Sequence, residues 1–214
     1  MVMRILLAAA VAGVALLALG SCATMSEEQC LAGAWSERGY ADGAEGLPTS
    51  RLDDYSETCA EQGVTPDAPA YLDARESGLV AYCTPRRGFR AGRDGASYGG
   101  VCPAPLEQDF LLAYEDGRIV HEAEQTLSSA RTSLDALADR IEDLDDKLDA
   151  KNSELRQDEL TDEQRDQLRN RIREIRQERE SRIRDWRRAQ GDLDDAERRA
   201  GDVRYRFADL YGRW

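Results

Sequence analysis

The sequence predicts an all-α chain, a small disulfide-stapled helical module followed by a long antiparallel helical hairpin of coiled-coil type. Three observations carry this expectation. All six prolines lie between Pro48 and Pro105, and eleven of the seventeen glycines between Gly33 and Gly100, so helix breakers crowd the first half of the chain. Four cysteines, Cys30, Cys59, Cys83 and Cys102, fall in that same half. From Leu127 onward apolar residues recur in steps of three and four, the spacing of a heptad seam. With 214 residues, 41% of them hydrophobic and 33% charged, the chain fits two small domains divided near residue 105.

Residues 1–21 read as a lipoprotein signal peptide. Arg4 supplies a positive start, and Ile5 to Leu19 is a run of apolar residues and glycine. That run is shorter than the roughly 20 residues a membrane-spanning helix needs, and its length suits a secretory segment. It ends in Leu19-Gly20-Ser21-Cys22, which resembles the bacterial lipobox. On that reading Cys22 becomes the lipidated N-terminus, and residues 22–26 form the tether. A thioether diacylglycerol plus an amide-linked acyl chain such as palmitate gives stable anchoring where a single chain would not. Ala23 after the cysteine, with no Asp there, implies sorting to the outer membrane, facing the periplasm. An ordinary signal peptide followed by a chance cysteine is the alternative.

Residues 27–105 form the stapled module. An even number of cysteines in an exported segment predicts two disulfides. Four cysteines allow three pairings, of which the sequence neighbours Cys30–Cys59 and Cys83–Cys102 are favoured. A zinc site lacks its C-x-x-C pairs, and the single histidine, His121, leaves no His-rich metal site. Ser26-Glu27-Glu28, Pro48-Thr49-Ser50 and Pro66-Asp67 each look like helix starts, the latter two after Gly46 and Gly63. Three or four short helices follow, with Thr84 to Gly100 as an irregular loop or a broken helix. The pairs Asp42-Gly43, Asp94-Gly95 and Asp116-Gly117 read as turns or helix ends. Arg86, Arg87, Arg90 and Arg93 cluster inside the 83–102 interval. Trp35, Tyr40, Asp42, Arg90, Arg93 and Tyr98 make up a candidate binding surface for peptidoglycan or anionic lipid.

The order of elements in this module is specific. It runs Cys30-x4-Trp35-x3-Gly39-Tyr40-x-Asp42-Gly43-x2-Gly46, then Tyr71-x3-Arg75-x2-Gly78-Leu79-x2-Tyr82-Cys83-Thr84-Pro85. It continues with Gly88-Phe89-x2-Gly92-Arg93-x-Gly95-x2-Tyr98-x-Gly100-Val101-Cys102-Pro103 and ends in Tyr114-x2-Gly117-Arg118. This resembles the bacterial lipoprotein family labelled domain of unknown function 2799, over about residues 27–118. The resemblance implies an envelope lipoprotein of a Gram-negative bacterium and brings no activity, ligand or catalytic residue with it.

Residues 106–214 carry two seams. The first runs through Leu127, Ala130, Leu134, Leu137, Ile141, Leu144, Leu148 and Leu155, with Lys151 in the slot between the last two. The second runs through Leu168, Ile172, Ile175, Trp186, Ala189, Leu193, Ala196, Ala200, Val203, Phe207 and Leu210, with Arg179 and Arg182 as polar interruptions. Thr161 and Gln164 between them form a capping box, so the first arm should stop near Asp158 to Leu160. Folding back there sets Leu148 opposite Ile172, Leu134 opposite Trp186, Leu127 opposite Leu193 and Phe110 opposite Leu210. Charges agree: acids outnumber bases over 135–149, and arginines outnumber acids over the opposed 171–185. Gly191 and Gly201 weaken the second arm and mark where it would bend. The same seams serve a monomer or a homodimer.

Function is bounded more by exclusion than by a motif. No catalytic residue set, metal site or cofactor is expected. A net charge of −13 and a pI near 4.6 exclude nucleic acid as a partner. The expectation is a non-enzymatic scaffold or docking protein, held to the membrane by its lipid anchor and meeting an envelope protein through the hairpin. The alternative is a ligand-binding module that uses the aromatic, Asp-Gly and arginine surface.

Overall fold

The structure of the protein is a computed structural model, and it describes residues 25–212. Among those residues there are seven helices and no strand: α1 (Glu27–Ala32), α2 (Trp35–Glu45), α3 (Arg51–Ala60), α4 (Ala68–Tyr82), α5 (Pro85–Arg93), α6 (Ala104–Leu155) and α7 (Asp162–Tyr211). The chain divides into two compact units. One holds the residues up to Thr84 together with Gly99–Glu107, the other Pro85–Tyr98 together with the chain from Gln108 on. Cys22 and the signal segment lie outside the described residues.

In the first unit, local chemistry starts and stops the helices where the sequence suggests. Ser26 and Gln29 cap α1 reciprocally, and the Asp67 side chain accepts from the Ala70 amide at the start of α4. Disulfides join Cys30 to Cys59 and Cys83 to Cys102, with Cα atoms 5.4 and 5.7 Å apart. The first ties α1 to α3 and is buried with Met25, Trp35, Tyr55 and Tyr71 in one apolar cluster. Helices α2 and α4 cross in backbone contact. A Cβ on Gly39 or Gly43 would run into the carbonyl oxygen of Tyr71 or Arg75, and one on Gly78 into that of Tyr40. Asp42-Gly43 is therefore a packing element in the last turn of α2, at a helix end as one of the two expectations had it, with its carbonyls accepting from the capping amide of Gly46. Gly46 ends α2 at φ +72°, a left-handed stop open to glycine at little cost, and the Tyr82 ring covers it.

In the second unit, the stretch after Thr84 is helical where a loop was one of two expectations. Helix α5 packs on α6 through Gly88, Gly92 and Gly117, each of whose missing Cβ makes room for a carbonyl oxygen, of Phe110, Tyr114 and Phe89 respectively. Phe89 stacks on Tyr211 with ring centroids 4.1 Å apart and shares a buried cluster with Ala113, Val120 and Phe207. That packing is why residues 85–98 group with the hairpin, so the compact units do not divide at residue 105. It also replaces the expected pairing of Phe110 with Leu210. Phe110 is buried against Tyr98 and Tyr114, while Leu210 is 68% exposed.

The hairpin itself has the expected hand-back. Leu127 packs with Ala123, Ala196 and Ala200, with Leu193 against them. Arg140 pairs with Glu178, Arg179 with Asp145, Arg131 with Glu197 and Arg204 with Glu124, so opposite charges fix the register along the arms. Helix α6 stops at Leu155, a little before the expected end. The Arg165 guanidinium there donates to the carbonyls of Leu155 and Gln157, which α6 can no longer satisfy. The capping box of Thr161 and Gln164 opens α7, which runs unbroken past Gly191 and Gly201.

One motif is used in both units. Gly39, Tyr40, Gly43 and Gly46 of α2 correspond to Gly88, Phe89, Gly92 and Gly95 at a constant spacing. Tyr71, Arg75, Gly78 and Tyr82 of α4 correspond to Phe110, Tyr114, Gly117 and His121, again at a constant spacing. Each glycine meets the equivalent carbonyl in its own unit, and both Gly46 and Gly95 are left-handed and covered by a ring, Tyr82 or His121. Arg75 donates to the Leu47 carbonyl, and Tyr114 donates to the equivalent Ala96 carbonyl. A cysteine lies on the N-terminal side of each of these four helices, at differing distances, and the disulfides Cys30–Cys59 and Cys83–Cys102 both belong to the first unit.

Candidate functional site

Two places in the molecule concentrate chemistry. The first is a buried carboxylate in the first unit. Asp42, 2% exposed, accepts from the Tyr71 hydroxyl at 2.7 Å and from the Tyr55 hydroxyl at 2.9 Å. Three helices supply it: α2 the acid, α3 and α4 one tyrosine each. Arg38 and Arg51 stand over the Tyr55 ring, 5.6 and 5.2 Å from its centroid. Arg75, 8% exposed, secures the chain after α2 through the Leu47 carbonyl, and its Nε has no hydrogen-bond partner. Burial, then the hydrogen bond to Asp42, pushes both tyrosine hydroxyls above their ordinary range, with Arg51 pulling Tyr55 back. Both hydroxyls point their protons at the acid, and the acid faces no solvent. The arrangement locks three helices together and offers a substrate no access.

The second place is on the hairpin. Ala138, Ile141, Ile183 and Trp186 line a groove of about 460 Å³, with Glu142, Asp145 and Arg187 on its rim. The hydrogen bond from Arg140 holds Glu178 below the usual carboxylate range, and that from Lys147 does the same for Asp143.

The residues of the candidate binding surface read from the sequence are divided between the two units. Trp35 and Asp42 are core residues of the first unit, while Tyr40 there is 51% exposed. Arg90, Arg93 and Tyr98 belong to the second unit. Arg90 is exposed on α5 beside Arg86 and Arg87, whereas Arg93 turns to Asp94 at 2.8 Å and Tyr98 packs on Phe110 and Tyr114. The aromatic and acidic types drew attention as ligand groups, yet the same types build a polar core. The repeated Gly-aromatic-x2-Gly-x2-Gly, at Gly39 and again at Gly88, was the signal that these residues serve helix crossing. Cys22 lies outside the described residues. Among the described residues no three His, Cys, Asp or Glu gather as a metal site, and no helix is long and apolar enough to cross a membrane.

No curated protein and no solved structure matches the chain. The model of a family described as a protein of unknown function (DUF2799) matches residues 34–119, which include both copies of the glycine crossing and stop short of most of the hairpin. Residues 34–119 are thus similar to the DUF2799 family, and most of the hairpin lies beyond the matched residues.

Proposed function

We propose that the protein is a lipid-anchored lipoprotein of the outer membrane, facing the periplasm, that acts as a non-enzymatic docking scaffold through its hairpin. The observation that carries this is the hairpin's own surface. Two arms are held in register by ion pairs between them, and an apolar groove around Trp186 is left open on a face otherwise charged. A mostly charged helical pair with an apolar recess is suited to receive a protein partner. The anchor rests on Leu19-Gly20-Ser21-Cys22, and two disulfides fit an oxidising compartment.

The test is photocrosslinking in living cells from exposed positions along α6 and α7, with identification of the adducts by mass spectrometry. Discrete protein adducts from the hairpin are expected. Adducts confined to Arg86, Arg87 and Arg90 positions on α5, and consisting of glycan or lipid, would replace docking by the ligand-binding reading. That second reading is kept alive by the exposed arginine face of α5. Acyl mass on Cys22 of the native protein is expected, and its absence together with membrane retention of Cys22→Ala would overturn the anchor.

A further inference from the structure

The hairpin covers its seam unevenly. Toward the tip Leu144, Ile172 and Ile175 are buried, and toward the root Leu127, Ala196 and Ala200 are. Between them Leu134, Leu137, Ile141, Ile183 and Trp186 are only half-buried, and Ala138 is exposed. The gap falls where Arg179 and Arg182 take seam positions and turn to Asp145 and Asp185. An indole and two isoleucines open to water at one level of a rod are an unfilled helix–helix interface, since each Å² of such surface is worth about 25 cal/mol when covered.

Charge decides what covers it. At the level of the groove α6 is acidic and α7 is basic, and the two stretches stand side by side because Arg140 meets Glu178 and Arg179 meets Asp145. A second hairpin can meet this face in two ways. Turned about an axis across the helices, it sets acidic arm on acidic arm and arginine arm on arginine arm. Turned about an axis along the helices, it sets each acidic arm over the other's arginine arm with all levels kept. Only the second arrangement is attractive, and it makes every neighbouring pair of helices antiparallel, as in a four-helix bundle. It also places Ala138 and Ile141 of one copy opposite Trp186 and Ile183 of the other, so that the space left by the small Ala138 meets the large indole that fills it.

We propose that a second copy of this chain occupies the groove, giving a two-fold four-helix bundle whose axis runs along the helices and whose tips point the same way. The proposal rests on the docking reading of the hairpin and names the partner at this groove. Glu142 of one copy then faces Arg187 of the other, twice over.

The test uses the full chain with a photocrosslinking residue at Ala138, prepared both unlabelled and heavy-isotope-labelled and mixed before irradiation. Mixed-isotope adducts that map to residues 180–190 of the second copy are the expected result. Adducts that map to α6 of the second copy would overturn the axis, and adducts within one chain alone would overturn the dimer. Arg187→Glu changes an exposed residue with no ion-pair role in the folded hairpin, so it leaves folding intact. It should weaken self-association by about tenfold, and adding Glu142→Arg should restore it. Failure of the second change to restore would overturn the facing of these residues. If the same probe in cells joins the hairpin to a different protein at this groove, self-association falls while the docking reading stands. If it captures no protein, both fall.

Discussion

The α2/α4 crossing and the α5/α6 crossing share a backbone and differ inside. In the first, the interior is a carboxylate held by two hydroxyls, Asp42 with Tyr55 and Tyr71, and the clamp on the Leu47 carbonyl is a guanidinium. In the second, Ala91 stands where the acid would be, Phe110 replaces Tyr71, and the clamp is the Tyr114 hydroxyl. The aromatic interior there is completed by Phe207 and Tyr211 of α7. Glycines that let two backbones touch fix the geometry of a crossing, and what fills the space beside them is then a separate choice. The polar choice makes each member depend on the others, because removing one leaves buried donors unpaired. Arg75 shows the cost of that choice, since its Nε is left without a partner while Tyr114 performs the same clamp with one hydroxyl.

The comparison breaks first if the glycines do not do this. Gly43→Ala and Gly92→Ala each drive a methyl into a backbone carbonyl, so each should lose about 4 kcal/mol or more in urea unfolding, with comparable losses in the two units. Similar midpoints to the parent protein would show that the helices do not cross in backbone contact. Next in size are the disulfides. Replacing Cys30 and Cys59 by serine should cost about 3–4 kcal/mol, and replacing Cys83 and Cys102 slightly less because the closed loop spans 19 residues where the other spans 29. Equal insensitivity of the melting temperature to both reductions would count against the staples.

Asp42→Ala sharpens the difference in interior. It should cost about 2–3 kcal/mol by leaving two buried hydroxyls unpaired, and Tyr55→Phe with Tyr71→Phe in the same chain should recover part of that loss. A purely additive triple variant would mean that the three do not act as a network. The tyrosines also set an alkaline limit. Burial and carboxylate partners raise the hydroxyls of Tyr71 and Tyr55 in the first unit, and Tyr211, bonded to Asp116, is pushed up to about 12 in the second. The folded state then holds protons that the unfolded chain releases near its ordinary pKa of about 10. Their contribution is complete below that pH and is lost as pH rises toward 12 and beyond. Denaturant midpoints that stay flat across this window would contradict it. The smallest expected effect is a gain. Gly191→Ala and Gly201→Ala sit in open space on α7 and should each stabilise by up to about 1 kcal/mol, in contrast to the packed glycines.

Periodicity made the hairpin legible. Leu127 with Leu193, the capping box at Thr161 and the opposed charges of the arms all follow from spacing along one helix and one fold-back. Of the Asp-Gly pairs, Asp94-Gly95 follows the end of α5 and Asp42-Gly43 lies in the last turn of α2, as a helix end predicts, while Asp116-Gly117 lies inside α6. Asp42-Gly43 and Asp116-Gly117 carry turn-forming residues, but a glycine that faces another helix gains more from close approach than it loses in helix propensity. Trp35, Asp42 and Arg93 have the residue types of a binding site, and only the packing shows that the first two are core and that Arg93 is turned to its neighbour Asp94.

By itself the sequence determined the all-α class, the heptad arms with their turn and the pairing of acid arm with arginine arm, because each depends on residues close in number or on a single reflection about one turn. Tertiary structure alone decided that residues 85–98 join the hairpin, that one glycine crossing occurs in both units with different interiors, and that the seam stays open around Trp186. Those features depend on which faces of separate helices meet, and contact between backbones, unlike helix periodicity, leaves only scattered glycines as its trace in the chain.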